Sequence, residues 1–202
     1  MSFSKSAWLA LALSIGETTV AAAQTEPGQR ELNQTELGQT DIGKTPMVGG
    51  APMFPYRNII QNAVESKDHT TLVAAVKAAG LVQTLEGPGP YTVFAPTNEA
   101  FEKLPPGTVA GLLKPENKAA LVKVLTYHVV AGKLTEARLR SAIKAGGGMA
   151  TLTTVEGEPL TVSLYDDRIT LTDAKGGTST VTIVNVMQSN GLIDVVDGVL
   201  TP

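Results

Sequence analysis

Cysteine is absent from the 202-residue chain. That excludes disulfides, thiolate zinc sites, cysteine nucleophiles and iron–sulfur clusters. Oxidising compartments tolerate disulfides without requiring them, so the absence is neutral on export. An excess of basic charge is missing too: 16 Lys and Arg stand against 19 Asp and Glu, and the lysines are scattered singly. A broad phosphate-binding surface needs clustered cations, so nucleic acid is not an expected partner. No apolar run reaches the roughly 18–20 residues needed to span a bilayer. Histidine is limited to His69 and His128, and no short His spacing exists to build a metal site. What is present is 43% hydrophobic residues, too many for a wholly disordered chain, in a length that suits one domain with tails.

The N-terminal segment reads as an export signal over residues 1–23. Lys5 supplies a positive start, Ala7 to Ile15 a short apolar core, and Ala21-Ala22-Ala23 the small residues a signal peptidase cuts after. Residues 24–57 follow as a flexible linker. Thr25-Glu26-Pro27-Gly28-Gln29, Thr35-Glu36-Leu37-Gly38-Gln39 and Thr40-Asp41-Ile42-Gly43-Lys44 form a degenerate five-residue unit, rich in Gln, Thr, Gly and Glu. Few large apolar groups are available there to offset ordering entropy. Asn33-Gln34-Thr35 matches a glycosylation sequon. Met53, Phe54 and Tyr56 are large apolar groups near the boundary, and some of them are expected to pack on the domain.

From Asn58 the pattern strengthens. Asn58 caps a helix through Ile59, Ile60, Ala63 and Val64. A second helix starts at Asp68 or Thr70 and stops at Gly80. Leu81 to Leu85 make a third turn, and Tyr91 to Ala95 a strand ended by Pro96. Thr97 or Asn98 caps a short helix with Phe101 inward. Helices follow over 108–113 and 115–125, the latter opening on proline at the first helical position. Tyr127 to Val130 reads as a strand and Thr135 to Ile143 as the last helix. After Gly146-Gly147-Gly148 the period becomes two, over 160–164 and 169–171. Thr178 to Val186 slips phase between Ile183 and Val184, which predicts a bulge. Asn190-Gly191 marks a tight turn before a final extended segment. Helices precede strands, so the fold class is α+β, with the domain over residues 58–202. About 145 residues bury roughly 68% of their unfolded surface, enough for a core without disulfides.

Three segments together resemble the fasciclin domain. Thr92-Val93-Phe94-Ala95-Pro96-Thr97-Asn98-Glu99-Ala100-Phe101 is similar to its first conserved box. Tyr127-His128 stands where the family has its Tyr-His pair. Residues 190–200, Asn190-Gly191-Leu192-Ile193-Asp194-Val195-Val196-Asp197-Gly198-Val199-Leu200, are similar to the second box. The resemblance covers residues 58–202 and implies a wedge of two small β-sheets with helices packed along one side. It also implies an exported, non-enzymatic module for adhesion or matrix binding, at the cell surface, in the periplasm or outside the cell. Its partner would be a protein or a polysaccharide. Two departures stand out. Asp194 occupies a position where the family often has His, and residues 185–189 carry no acid, so integrin recognition of the animal type is not carried over.

The resemblance makes Tyr127 and His128 the candidate binding residues; the residues themselves also fit a supporting role, as buried aromatic and imidazole groups with internal partners. Asp166, Asp167 and Asp173 lack the spacing of a calcium loop and read as a solvated turn. Gly146 to Gly148 is not followed by the Gly-Lys-Ser/Thr of a phosphate loop, and no Gly-x-Ser-x-Gly elbow exists. Glu99, Glu102 and Glu116 sit near helix N-termini, where the dipole accounts for them. No metal, cofactor or catalytic residue is expected. The rival reading is a periplasmic small-ligand carrier with an apolar cleft between helices and sheet, which an enclosed ligand-sized pocket would favour.

Overall fold

A computed structural model describes residues 45–202. The expected signal peptide, most of the expected linker and the Asn33 sequon lie outside the described residues. The packed body begins upstream of Asn58. Two short strands, β1 (Met47–Val48) and β2 (Ala51–Pro52), pair as a small hairpin. Val48, Ala51 and Met53 are buried in the main core. Phe54 stacks on Tyr56, and Arg57 lies over the Phe54 ring. Buried Asn62 fastens this segment: Phe54 N–H donates to its Oδ1 at 3.1 Å, and its Nδ2 donates to the Phe54 carbonyl at 2.7 Å and to Gln188.

Local sequence explains the helices. Helix α1 (Ile59–Ala63) is opened by a reciprocal capping box between Asn58 and Gln61. One 3₁₀ turn precedes α2 (Thr70–Ala79), which Gly80 terminates in the left-handed conformation at φ 76°, where a side chain would be strained. After α3 (Val82–Glu86) comes β3 (Tyr91–Pro96), then α4 (Asn98–Glu102), capped by the Thr97 hydroxyl. Helix α5 covers Thr108–Leu112. The segment from Pro115 starts as a 3₁₀ turn and continues as α6 (Lys118–Tyr127). Tyr127 therefore ends a helix instead of opening a strand, and β4 is only Val129–Ala131. The reason is packing: Leu121 and Leu125 share one face of α6 and enter one apolar cluster, while Tyr127, two residues on, turns the other way into the second. Helix α7 (Glu136–Ala145) is capped by Thr135.

Five strands follow: β5 (Met149–Thr153), β6 (Pro159–Tyr165), β7 (Arg168–Thr172), β8 (Thr178–Gln188) and β9 (Gly191–Val196). Their order with the earlier strands is β4-β3-β9-β8-β7-β6-β5. All neighbours are antiparallel except β3 and β9, which run parallel from Tyr91↔Gly191 to Pro96↔Val196. The two halves of this seven-stranded sheet share β8. Its first residues pair β7, and the stretch from Val181 to Gln188 pairs β9. Two register shifts, at Val181/Ile183 and Ile183/Val186, bend it between the two partners. An isolated bridge from Val130 to Thr154 brings the outer strands back toward each other. The class is α+β, with one apolar cluster under α1–α3 and α6 and another between α7 and β6–β8.

Candidate functional site

The three motifs meet in the centre of the molecule. The first box forms β3 and the start of α4; the second forms β9, its parallel neighbour. Gly191 allows the close approach, because a Cβ there would lie 2.0 Å from the Tyr91 carbonyl oxygen. Asn190 locks the turn before it. Its Oδ1 accepts from Ile59 N–H at 3.0 Å, and its Nδ2 donates to the carbonyls of Leu85 at 2.7 Å and Gly87 at 2.9 Å. One side chain thus joins β9 to α1 and α3.

Tyr127 and His128 lie in the same interior, 0% and 2% exposed. The Tyr127 hydroxyl donates to the Pro159 carbonyl at 2.8 Å and accepts from Ala174 N–H at 3.1 Å. It ties α6 to β6 and to the turn after β7, and burial raises its pKa. His128 spans a second junction. Its Nε2 accepts from Leu200 N–H at 3.0 Å, which makes Nδ1 the protonated nitrogen, donating to the Val124 carbonyl at 2.8 Å. Its own carbonyl accepts from Phe94 N–H. Burial drives its pKa down to about 4, against the opposing pull of the Val124 carbonyl and the Asp173 charge. The imidazole is neutral at pH 7, and both of its nitrogens are occupied within the fold.

Three polar groups named in the sequence are buried in ways its pattern did not indicate. Asp173 is not in a solvated turn; it is 7% exposed. Its Oδ1 accepts from the N–H groups of Lys175 and Gly177, and its Oδ2 from the N–H and hydroxyl of Thr201. The Gly-Gly after Lys175 is the signal that fits: a Cβ on Gly177 would come within 2.7 Å of the carboxylate. Asp194 is fully buried in β9. One oxygen accepts from Asn185 N–H at 2.8 Å and the other has no partner among the described residues. Burial raises its pKa to about 7, opposed by the Asn185 hydrogen bond and assisted by the nearby Glu136 charge. Asn185 sits at φ 59° on the bent stretch of β8 and accepts Glu136 N–H with its own side chain. Its left-handed backbone is tolerated because Asn can bond locally. His69 is buried as well, with Nδ1 on the Ser66 hydroxyl and its pKa lowered by burial.

Among the described residues, no three His, Asp or Glu side chains converge as metal ligands would, and no helix is long and apolar enough to cross a membrane. The apolar slot between α1, α2, α3 and α6 is lined by Ile59, Leu72, Val76, Leu85 and Leu125, with Lys77 and His128 also on its wall. Its interior is about 30 Å³. That is room for a water or two, against the roughly 300–1,000 Å³ of small-molecule pockets. A larger, open groove of about 440 Å³ lies along α4 and α5, lined by Asn98, Phe101, Leu104, Pro105 and Val109.

The geometry agrees with what the chain is similar to. The fasciclin domain family model matches residues 67–202. Protein sll1483 of Synechocystis sp. is 43% identical over 94% of this chain and 90% of its own length. Immunogenic protein MPB70 of Mycobacterium bovis is 35% identical over 69% of this chain and 66% of its own. Transforming growth factor-beta-induced protein ig-h3 of Sus scrofa is 40% identical over 72% of this chain, which spans only 20% of that longer protein. Among solved structures, a FAS1 domain pair from the insect cell adhesion molecule fasciclin I shares the fold, with a TM-score of 0.65 at 17% identity over 73% of this chain and 52% of that one. With its boxes paired as central strands and its relatives aligned along nearly the whole domain, the chain belongs to the fasciclin domain family.

Proposed function

We propose that the protein is an exported, non-enzymatic adhesion module that binds a protein or polysaccharide at the cell surface, in the periplasm or in the surrounding matrix. Family membership across residues 67–202 carries this reading, together with the fold shared with an insect cell adhesion molecule. The burial pattern supports it. Tyr127, His128, Asp173 and Asp194, the residues with the most chemistry to offer, are buried and engaged in the fold. Recognition then falls to surface groups, while Tyr127 and His128 support the domain. Export rests on Lys5, the apolar stretch Ala7 to Ile15 and the Ala21-Ala22-Ala23 site, with the residues from Gln24 to the β1–β2 hairpin as the stretch joining signal to domain. The small interior of the apolar slot gives the carrier reading no specific support.

Two measurements test this. Mass spectrometry of the exported protein should show a chain beginning at Gln24; a mature form that keeps Met1 or Ser2 would overturn export by this signal. Incubated with extracellular material, the exported chain should retain a partner through washing, and His128→Ala should lose it only in proportion to its unfolded fraction. If His128→Ala melts like the parent and yet releases the partner, His128 is a contact residue.

A further inference from the structure

The outward face of β5–β8 carries an ordered grid of hydroxyl groups. Strand register sets Thr151, Thr161, Thr172 and Thr178 side by side in one row across four strands. The next row reads Met149, Ser163, Thr170 and Thr180, so seven of the eight positions are Thr or Ser. Neighbours in a row are about 4.8 Å apart and the rows about 6.8 Å apart, from the spacing of strands and of alternate residues along one. The intervening residues Leu160, Val162, Ile169, Leu171, Ser179 and Val181 are buried on the opposite face, where α7 packs. Thr182, just past the grid, turns its hydroxyl back to the Val195 carbonyl. The seven grid hydroxyls form no such bond with the described residues, which leaves their donors and acceptors facing outward.

Threonine suits a one-sided strand on propensity alone, but propensity does not explain the missing charges. With 35 acidic and basic residues in the chain, none stands at the eight grid positions. A solvent-facing surface that is to stay free of partners is best studded with charges of both signs. An uncharged face is complementary to an uncharged partner. A protein partner would be met by an apolar centre, and here the centre is hydroxyl. At one end of the rows stands Tyr165, 77% exposed, opposite Arg168 on the same face. An exposed phenol ring offers a flat apolar body with a wet polar tip, which suits the C–H face of a sugar ring beside its hydroxyls.

We infer that the β5–β8 face, with its Thr/Ser grid and Tyr165, is a docking surface for a neutral polysaccharide that presents repeated hydroxyls. This rests on the adhesion reading and names the partner class for it. The test is co-sedimentation of the full exported chain with microcrystalline cellulose and with insoluble β-1,3-glucan. The parent should be depleted from solution by at least one of them, equally at 0.1 and at 1 M NaCl, as expected of a contact without ion pairs. Tyr165→Ala, a change at an exposed position, should weaken binding about tenfold with an unchanged melting temperature, at roughly 1.4 kcal/mol per decade. Thr161→Val/Thr170→Val/Thr172→Val keeps branched side chains and removes three hydroxyls, and it should weaken binding at least as much. Retention of full binding by either folded variant overturns the assignment, as does binding abolished by salt. Should the triple variant not fold, Thr170→Ala with Tyr165→Ala decides in its place. A parent that ignores both glucans but captures a protein overturns this surface and leaves the adhesion reading standing; a parent that retains nothing overturns both.

Discussion

The two halves of the sheet are built on different terms. In the β3–β9 half, both faces of the strands are covered: every residue of β9 is buried, and of β3 only Tyr91 is partly exposed. In the β5–β7 half, residues alternate between the core and solvent. A strand covered on both sides has no wet face on which to place a polar group. Thr92, Asp194 and the neighbouring His128 must find partners inside, and each becomes a tie between elements. A strand covered on one side sends its polar groups out, where they cost little and stay free to meet a partner. Rigidity and recognition are thus divided between the halves.

The largest way to break this comparison is to hollow the centre. Tyr127→Ala removes a fully buried ring and two hydrogen bonds. It should cost about 3–5 kcal/mol, as aromatic deletions that open a cavity do. At roughly 2–8 °C per kcal/mol, that lowers the melting temperature by about 6 °C or more. A thermal melt within 2 °C of the parent would show that α6 and β6 are held together by something other than Tyr127.

Next comes Asp194, where the centre titrates. Its folded pKa of about 7 lies above the ordinary 3.8. Between those values the folded state holds a proton that the unfolded state has released, so stability falls as pH rises from about 4 to 7 and is level above. His128 works the other way. Its folded pKa of about 4 lies below 6.5, so its contribution is complete above pH 6.5 and lost as pH falls toward 4. The two opposing slopes mute each other in the parent. Asp194→Asn removes one of them: the variant should gain a few kcal/mol over the parent at pH 8, and its stability should rise from pH 4 to 6.5. Urea titrations at pH 4, 5.5, 7 and 8 check this, and parallel curves for the two proteins would show that Asp194 is ionised in the fold.

What the sequence displayed follows the same division. The alternation in β6 and β7 was legible because one face is wet, and so were the helix ends, where Asn58, Thr97, Thr135 and Gly80 carry their own chemistry. Strand β5 was missed, because Met149 and the exposed threonines beside half-buried Ala150 and Leu152 blur the alternation. The upstream hairpin was missed because its few apolar residues gain their burial only from Asn62, Gln188 and the core beneath. For the candidate pair Tyr127-His128, the binding role was legible only as a resemblance, and the residues themselves showed a supporting role without its partners. The pair's place at the end of α6 depends on tertiary partners more than thirty residues away, at Pro159 and Leu200. Asp194 stood in plain view within an apolar run, but nothing local marked Asn185 or Glu136 as its neighbours.

The smallest effect sharpens the comparison most, because one kind of substitution can be made in both halves. Thr92 is fully buried in β3; its hydroxyl donates to the Gly132 carbonyl at 2.7 Å and accepts from Leu134 N–H at 2.9 Å. Thr92→Val keeps the shape and strands both backbone groups, for a loss of roughly 1–3 kcal/mol. Thr170 has the same side chain on the outward face of β7, with no hydrogen-bond partner among the described residues to abandon. Thr170→Val preserves the branched side chain that a strand favours and should change stability by no more than about 0.5 kcal/mol. Chemical denaturation of the two variants beside the parent is sufficient, since the slope should stay fixed while the midpoint moves for Thr92→Val alone. Equal shifts in both would mean that the outer hydroxyls are structural, and that the division between a tied centre and a free face does not hold.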